Sequence, residues 1–271
     1  MLNEKIKKVV EFGDRFIKEY LSKEYFKTHN IDIEKVESDW WEASKFFFSR
    51  AFYQGRRDDI SKKVEEKAIE ILSKYFDNQY QRDKEFQRLK DTNWKELKNE
   101  LSKNIGKGKI GRERDIKMII SYFNFISNLK HKNIVAYSLN KIKQKEIKDH
   151  FYELQKSKRP NGIESVGPKI TSLYLRDLVC INNLEDSIKK EDMIYFQPID
   201  TWVRKIANEL EIIESPKLSN KELKNVNEFK IREKIVEICD KLHVSAIKFN
   251  QGAWYLGVKS FNILLENLEK L

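Results

Sequence analysis

The chain has 271 residues, which is enough for one large domain or for two lobes. Its 53 lysines and arginines outnumber 43 aspartates and glutamates, and the net charge of +10 favours a polyanionic partner. Lysine-rich proteins that bind nothing anionic have similar compositions, so charge alone leaves that question open. No apolar run reaches about eighteen residues, and no signal-peptide pattern is present. We therefore expect a cytoplasmic protein without a membrane-spanning segment.

Helical periodicity recurs along almost the whole chain, and nine glycines and four prolines leave few turns between elements. No strand or hairpin pattern appears, and no repeat of solenoid length. Helices are predicted at residues 4–22, 39–54, 60–77, 82–102, 113–130, 144–157, 168–181, 200–212, 228–242, 245–256 and 258–270. The fold class predicted from this pattern is all-α.

Cysteine and histidine usage gives no sign of a metal centre or of a bound cofactor. Cys180 and Cys239 are too few for a cysteine cluster or a disulfide framework, and both lie on apolar faces of predicted helices. We expect them to be buried, unreactive thiols. The four histidines are scattered and show no i, i+4 pairing that would suggest a metal site.

Two segments of the N-terminal half combine basic residues with aromatic residues or glycines. Residues 46–57 contain five aromatic residues and three arginines, and a core helix followed by a basic loop is predicted there. Residues 103–114 are basic and glycine-rich, and two of their glycines have the gap of a P-loop. Arg112 and Glu113 replace the Lys-Ser/Thr pair of that motif, and no strand is predicted before it. A mobile surface loop and a phosphate-contacting loop are the two interpretations.

Residues 163–176 contain a tight turn that leads directly into a helix. Val166 and Gly167 lie in the turn, and apolar residues recur at helical spacing after Lys169. Such a turn directs backbone N–H groups and the positive end of a helix outward, which suits an anion. The segment resembles the helix-hairpin-helix motif, which implies DNA-phosphate contacts at Val166, Gly167 and Lys169. Ser165 replaces the first glycine of the usual apolar-x-Gly-x-Gly-x-Lys pattern, and an ordinary helix–turn–helix junction is the alternative.

A second segment, residues 198–207, reads Pro-Ile-Asp-Thr-Trp-Val-Arg-Lys-Ile-Ala. It resembles the Pro-Val-Asp-Thr-His-Val-x-Arg-x-Ala segment of the helix-hairpin-helix DNA glycosylases. In that superfamily an aspartate follows the hairpin and lies at a helix N-terminus in the active site, a position that Asp200 matches. Trp202 replaces the common histidine, and the connection from the hairpin to Asp200 is longer than in most members. Aspartate is also a favoured N-cap, which is the purely structural interpretation of Asp200.

The resemblance implies catalytic roles for Lys169 and Asp200. A lysine with its ordinary pKa of roughly 10.4 is a protonated, inert ammonium at neutral pH, so burial or a nearby proton acceptor must supply the free amine. The amine attacks C1′ of the sugar as the base departs, and a carboxylate stabilises the positive charge that develops on the ribose. The amine–sugar adduct becomes an imine and permits strand cleavage by elimination. Lys169 therefore favours a combined glycosylase and AP lyase.

The target base must leave the stack to reach such a site, and superfamily members fill the gap with an inserted side chain. Gln54 lies where the superfamily usually carries that wedge, although a core helix with a basic loop explains the segment equally well. Near the C-terminus, Gln251 and Tyr255 match the spacing of a glutamine and an aromatic residue that contact the flipped base in 8-oxoguanine glycosylases. With Trp254 they form the predicted base pocket. A helix packed by aromatic side chains would look the same.

These observations predict a two-lobed, all-α DNA glycosylase and AP lyase, with the active site in a cleft between the lobes. Lobe one is predicted at residues 46–199, including the hairpin at 163–169, and lobe two at residues 1–45 and 200–271. The expected partner is double-stranded DNA with a damaged base, 8-oxoguanine being favoured, and the expected state is a monomer associated with the nucleoid. A monofunctional glycosylase for another lesion and a non-catalytic DNA-binding module are the alternatives.

Overall fold

A computed structural model describes residues 2–260, and within this range the fold is all-α, as the sequence predicts. No β-strand occurs among these residues, and a single isolated bridge pairs Gln155 with Ile163. Two 3-10 turns, Glu185–Ser187 and Lys190–Phe196, occupy the connection after α10, and Phe16–Tyr25 continues α1 in π-helical geometry. The helices are α1 (Leu2–Arg15), α2 (Phe26–Thr28), α3 (Trp40–Ala51), α4 (Asp58–Phe76), α5 (Arg82–Asp91), α6 (Lys95–Ile105), α7 (Glu113–Ile126), α8 (Ile134–Lys143), α9 (Ile147–Glu153), α10 (Pro168–Ile181), α11 (Thr201–Glu209), α12 (Asn220–Asn225), α13 (Glu228–Lys241) and α14 (Ala246–Tyr255).

The chain divides into two compact units. The central unit is Phe26–Tyr174, and the terminal unit joins Met1–Tyr25 to Leu175–Leu271. These boundaries differ from those of the lobes predicted from the sequence, and the lobes stay a prediction.

The core of the central unit is built from aromatic side chains. Phe47 and Tyr122 stack with ring centroids 4.8 Å apart, and Trp94 stacks on Phe123 at 5.4 Å. Almost every residue of α3 is buried, because its consecutive aromatic residues contact neighbours all round the helix. The predicted core-helix interpretation of the first part of residues 46–57 is therefore confirmed.

Two glycines bring α1 and α14 together in the terminal unit. A Cβ added at Gly13 would overlap the backbone of Lys248, and a Cβ added at Gly252 would overlap the carbonyl of Val9. The two backbones therefore approach more closely than any larger residue allows. The apolar face of α1 is buried there, as its periodicity predicts.

The predicted helix positions were wrong in three places. The predicted helix at 82–102 is broken into α5 and α6 at Asn93 and Trp94, which have φ of 52° and 61°. No helix was predicted at α8, which precedes the predicted helix at 144–157, or at α12, which lies between the predicted helices at 200–212 and 228–242. The predicted C-terminal helix at 258–270 lies almost wholly outside the described residues.

No helix within residues 2–260 is both long enough and apolar enough to cross a lipid bilayer.

Candidate active site

The turn before α10 has its left-handed residue at Ser165, where φ is 62°. Residues other than glycine seldom adopt this conformation, and holding one there costs about 1–3 kcal/mol. The position is the one that the helix-hairpin-helix pattern gives to its first glycine. The chain therefore turns at Ser165 with a glycine-like backbone, although the residue is a serine.

Gly167 differs from Ser165, because neither its backbone conformation nor its surroundings require a glycine. Its φ is not positive, and no atom lies within 4 Å of the place where a Cβ would stand. Its carbonyl accepts bonds from the N–H and the hydroxyl of Thr171, at 3.0 and 3.1 Å. The turn residue of this junction is thus Ser165, and the open space beside Gly167 lets another molecule approach the backbone closely.

Lys169 is the second residue of α10 and is half-buried. The N–H groups of a helix's first turn have no carbonyl one turn earlier to bond, so they point outward with partial positive charge. In α10 these are the N–H groups of Lys169 and Ile170, because Pro168 has no N–H and that of Thr171 bonds the Gly167 carbonyl. No acidic residue lies in the first turn of α10. Lys169 and these N–H groups together make this helix start suitable for an anion.

Asp200 caps α11, as its sequence position predicts. Its side chain accepts a hydrogen bond of 2.8 Å from the N–H of Val203, and the residue is half-buried. A helix start favours the ionised carboxylate. Lys169 belongs to the central unit and Asp200 to the terminal unit.

Gln251 is fully buried, and neither its amide nitrogen nor its amide oxygen has a hydrogen-bond partner. Each unsatisfied polar atom of this kind costs about 1–3 kcal/mol. The Cys180 thiol lies beside the amide and is half-buried rather than buried as predicted. Burial raises its pKa to about 11, so the thiolate that would accept a bond from the Gln251 amide is not formed at neutral pH. Gln251 therefore carries an unused donor and an unused acceptor in the interior of the terminal unit.

Trp254 and Tyr255 belong to an aromatic cluster between α14 and the N-terminal helix. The ring of Trp254 meets Phe16 edge-on with centroids 5.4 Å apart, and Tyr255 lies 5.9 Å from the same ring. Both residues are half-buried. The structure thus places them in a helix packed by aromatic side chains, with part of each surface accessible.

Gln54 is buried in the central unit. Its amide nitrogen donates to the carbonyl of Ala51 at 2.7 Å and contacts the sulfur of Met118 at 2.9 Å. The wedge role stays a prediction, and it requires the side chain to leave both partners and turn outward.

Guanidinium groups from the start of α7 and from the loop after α3 lie next to Gln54. Arg114 donates to the backbone carbonyl of Gln54, and Arg56 forms a buried ion pair with Asp115 at 2.6 Å. Burial lowers the pKa of Arg114, and the positive charges of Arg112 and Arg56 lower it further. A helix, not a strand, precedes the basic loop between α6 and α7, which excludes a P-loop.

One constellation in the central unit was missed by the sequence analysis. Nε2 of His150 lies 2.8 Å from the hydroxyl of Ser138, and Nδ1 lies 3.2 Å from the carboxylate of Glu153. This order of groups is that of a hydrolase triad. Ser138 is completely buried and also bonds the hydroxyl of Tyr174 at 3.0 Å, so no substrate reaches it. The i, i+3 pair of His150 and Glu153 was visible in the sequence, but Ser138 lies on the helix that was missed.

Comparison of the chain with protein-family models, with curated proteins and with solved structures finds no match. Among residues 2–260, no three histidine, cysteine or acidic side chains are grouped so that they could hold a metal ion. The family resemblance therefore rests on sequence motifs, chiefly those of residues 163–207.

Proposed function

We propose that the protein is a two-lobed, helix-hairpin-helix DNA glycosylase with AP lyase activity. The observation that carries the proposal is the turn before Lys169. Ser165 takes the glycine-like conformation, Gly167 leaves its backbone open to approach, and the unpaired N–H groups of α10 follow at once. A DNA phosphate bound at these groups would bring the sugar–phosphate backbone next to Lys169.

Lys169 is proposed as the nucleophile. Its neutral amine forms a bond to C1′, while the bond from C1′ to the base breaks and the base leaves with that electron pair. The nitrogen gives one proton to the departing base. The bond from C1′ to the ring oxygen then breaks, the ring oxygen takes the second proton as a hydroxyl, and a C1′=N imine remains. The imine acidifies C2′, and removal of a C2′ proton expels the 3′ phosphate and nicks the strand.

Asp200 is proposed as the electrostatic partner of the same step. Departure of the base gives the ribose oxocarbenium character, and an ionised carboxylate nearby lowers the energy of that state. The bond from Val203 fixes the carboxylate at a helix start, where negative charge is favoured. The mechanism requires Lys169 and Asp200 to reach the same nucleotide.

The base pocket is proposed at Gln251, together with the aromatic surfaces of Trp254 and Tyr255. Gln251 is fully buried, so this role requires the side chains that cover its amide to move aside when a base binds. An amide with both its donor and its acceptor free is matched by an adjacent pair of N–H and C=O groups on a base edge. Such a pair would offset the cost of burying Gln251. Oxidised guanine, which carries N–H next to C=O, is the proposed lesion.

The test is incubation of the full chain with duplexes that carry 8-oxoguanine, an oxidised pyrimidine, an abasic site or no lesion. We expect base release and nicking of lesion-containing DNA, and a covalent complex after borohydride reduction that Lys169→Gln abolishes while duplex binding persists. Base release without nicking or trapping would indicate a monofunctional glycosylase. Binding without base release on any duplex would indicate a non-catalytic DNA-binding module.

A further inference from the structure

A buried chain of hydrogen bonds connects α10 and α14 to the segment before Asp200. Nε of Arg176 donates to the carboxylate of Asp177 at 2.8 Å, and Nη1 of Arg176 donates to the amide oxygen of Asn250 at 2.8 Å. The amide nitrogen of Asn250 then donates to the carbonyl of Pro198 at 3.1 Å. All four residues belong to the terminal unit.

This chain is shielded from water along its length. Arg176 is 4% exposed, Asp177 3% and Asn250 0%. Hydrogen bonds of buried groups are strong, because the surroundings have a low dielectric constant and no water competes. The ion pair orients the guanidinium, the guanidinium orients the Asn250 amide, and the amide fixes the Pro198 carbonyl.

The Pro198 carbonyl lies two residues before Asp200, and the residue between them, Ile199, is 3% exposed in the core. Proline has no N–H with which to anchor this segment, so the bond from Asn250 to its carbonyl replaces a backbone anchor. On the other side, the Asp200 carboxylate is held by the N–H of Val203. Asp200 therefore lies between two anchors: the bond to the Pro198 carbonyl before it in the chain and the bond from the Val203 N–H after it.

We propose that Asn250 is a positioning residue for Asp200. It holds the Pro198 carbonyl so that the Asp200 carboxylate keeps one orientation toward the charge that develops on the sugar. The role rests on the proposed glycosylase function. Displacement of a reacting group by about 1 Å can slow a reaction by about 100-fold, so loss of this anchor should affect the rate rather than substrate binding.

The test compares Asn250→Asp and Asn250→Ala with Asn208→Asp. A carboxylate at 250 keeps the acceptor for Arg176 but loses the donor to Pro198, and alanine removes both groups without adding charge. Asn208 is a matched control in the same unit: it is 5% exposed and its amide bonds the backbone of Leu218 in both directions at 2.9 Å. Its bonds hold Leu218, which follows α11 in the chain, whereas the Asn250 amide holds Pro198, which precedes α11.

We expect both Asn250 variants to release the base roughly 10–100-fold more slowly at unchanged duplex affinity, while nicking of a preformed abasic site falls less. Amide hydrogen exchange at Val203 should accelerate relative to Ala207 on the same helix. Asn208→Asp should lower the melting temperature but leave the rate of base release and the amide exchange at Val203 near wild type.

Unchanged exchange at Val203 in folded Asn250 variants would overturn the positioning role, whatever the activity. Equal slowing by Asn208→Asp would overturn it too, because a general loosening of the unit would then explain the loss. If the wild-type chain releases no base, the glycosylase proposal fails, and the exchange measurement still decides whether Asn250 holds the segment.

Discussion

Asn250 and Gln251 are consecutive residues of α14 and are both fully buried, yet their amides are in opposite hydrogen-bonding states. Asn250 accepts from Arg176 and donates to Pro198, whereas neither amide atom of Gln251 has a partner. The Asn250 amide is satisfied within the fold, whereas the Gln251 amide is satisfied only under the proposed role in base binding. Asn250 stabilises the fold, and Gln251 destabilises it unless a ligand bonds it.

Replacing Gln251 with leucine should therefore change stability and activity in opposite directions. The free energy of unfolding should rise, by up to about 1–3 kcal/mol, because two unsatisfied buried atoms are removed from a side chain of similar size. Affinity for the lesion and the rate of base release should fall by roughly 10-fold or more. Thermal unfolding and single-turnover base release measure the two effects.

Gln54→Leu is the control for that experiment. Gln54 is also buried, but its amide nitrogen bonds the Ala51 carbonyl, so this variant should lower the melting temperature. If Gln251→Leu is destabilised to the same degree and keeps full activity, the free amide does not bind the base.

Asp200→Asn should slow base removal by about 100-fold or more while the protein stays folded. Asparagine is as good an N-cap as aspartate, so the bond to the Val203 N–H is retained. The neutral amide cannot offset oxocarbenium charge. The measurement is single-turnover release of the base next to a melting curve. Wild-type turnover in this variant would leave Asp200 with its capping role only.

The all-α class and the N-cap at Asp200 could be predicted from local signals. Periodicity reports which residues face a core, and cap residues satisfy nearby N–H groups, so both depend on neighbours in the sequence. The left-handed residues Trp94 and Ser165 could not be found in this way, because neither is a glycine or an asparagine, the residue types that mark such a conformation in a sequence. The close approach at Gly13 and the unpaired amide of Gln251 depend on partners far away in the chain.

Gly167→Ala tests whether the open backbone before α10 binds DNA. The alanine Cβ would meet no atom within 4 Å and φ is not positive, so the fold should be unchanged or up to about 1 kcal/mol more stable. A methyl group at this place would keep a phosphate from approaching the N–H groups. We expect weaker binding to any duplex, measured by fluorescence anisotropy. Unaltered affinity in this variant would assign the phosphate contact to another part of the chain.

Lys107→Ala/Lys109→Ala tests the phosphate-contacting interpretation of the basic loop. Both lysines are exposed, and neither forms an ion pair within residues 2–260. Each phosphate contact that is lost should reduce the slope of log K against log salt by about 0.9. Lys67→Ala is the control, because Lys67 is partly exposed and pairs with Glu70 at 2.7 Å. Equal slopes for both variants and wild type would favour the interpretation as a surface loop without DNA contacts.

His150 makes the stability of the central unit depend on pH. Burial lowers the pKa of His150, and its hydrogen bond with Glu153 opposes that shift only in part. The ionised carboxylate requires a proton on Nδ1, so Nε2 of the neutral ring accepts from the Ser138 hydroxyl. If Nε2 is protonated, it can no longer accept the hydrogen bond from the Ser138 hydroxyl, and the ring carries a positive charge in the core.

The direction of the pH effect follows from the lowered pKa. Below its ordinary pKa of about 6.5 the histidine of the unfolded chain binds a proton, whereas His150 in the fold remains neutral. The contribution of neutral His150 to the free energy of unfolding is therefore complete above about pH 6.5. It is lost as the pH falls toward the lowered pKa of His150 in the fold. The melting temperature should decline more steeply from about pH 7 to about pH 5 in wild type than in His150→Gln, which cannot titrate. His131→Gln, at an exposed histidine of the same unit, should follow wild type. If His150→Gln declines as steeply as wild type, carboxylates elsewhere cause the acid sensitivity and the buried histidine contributes nothing to it.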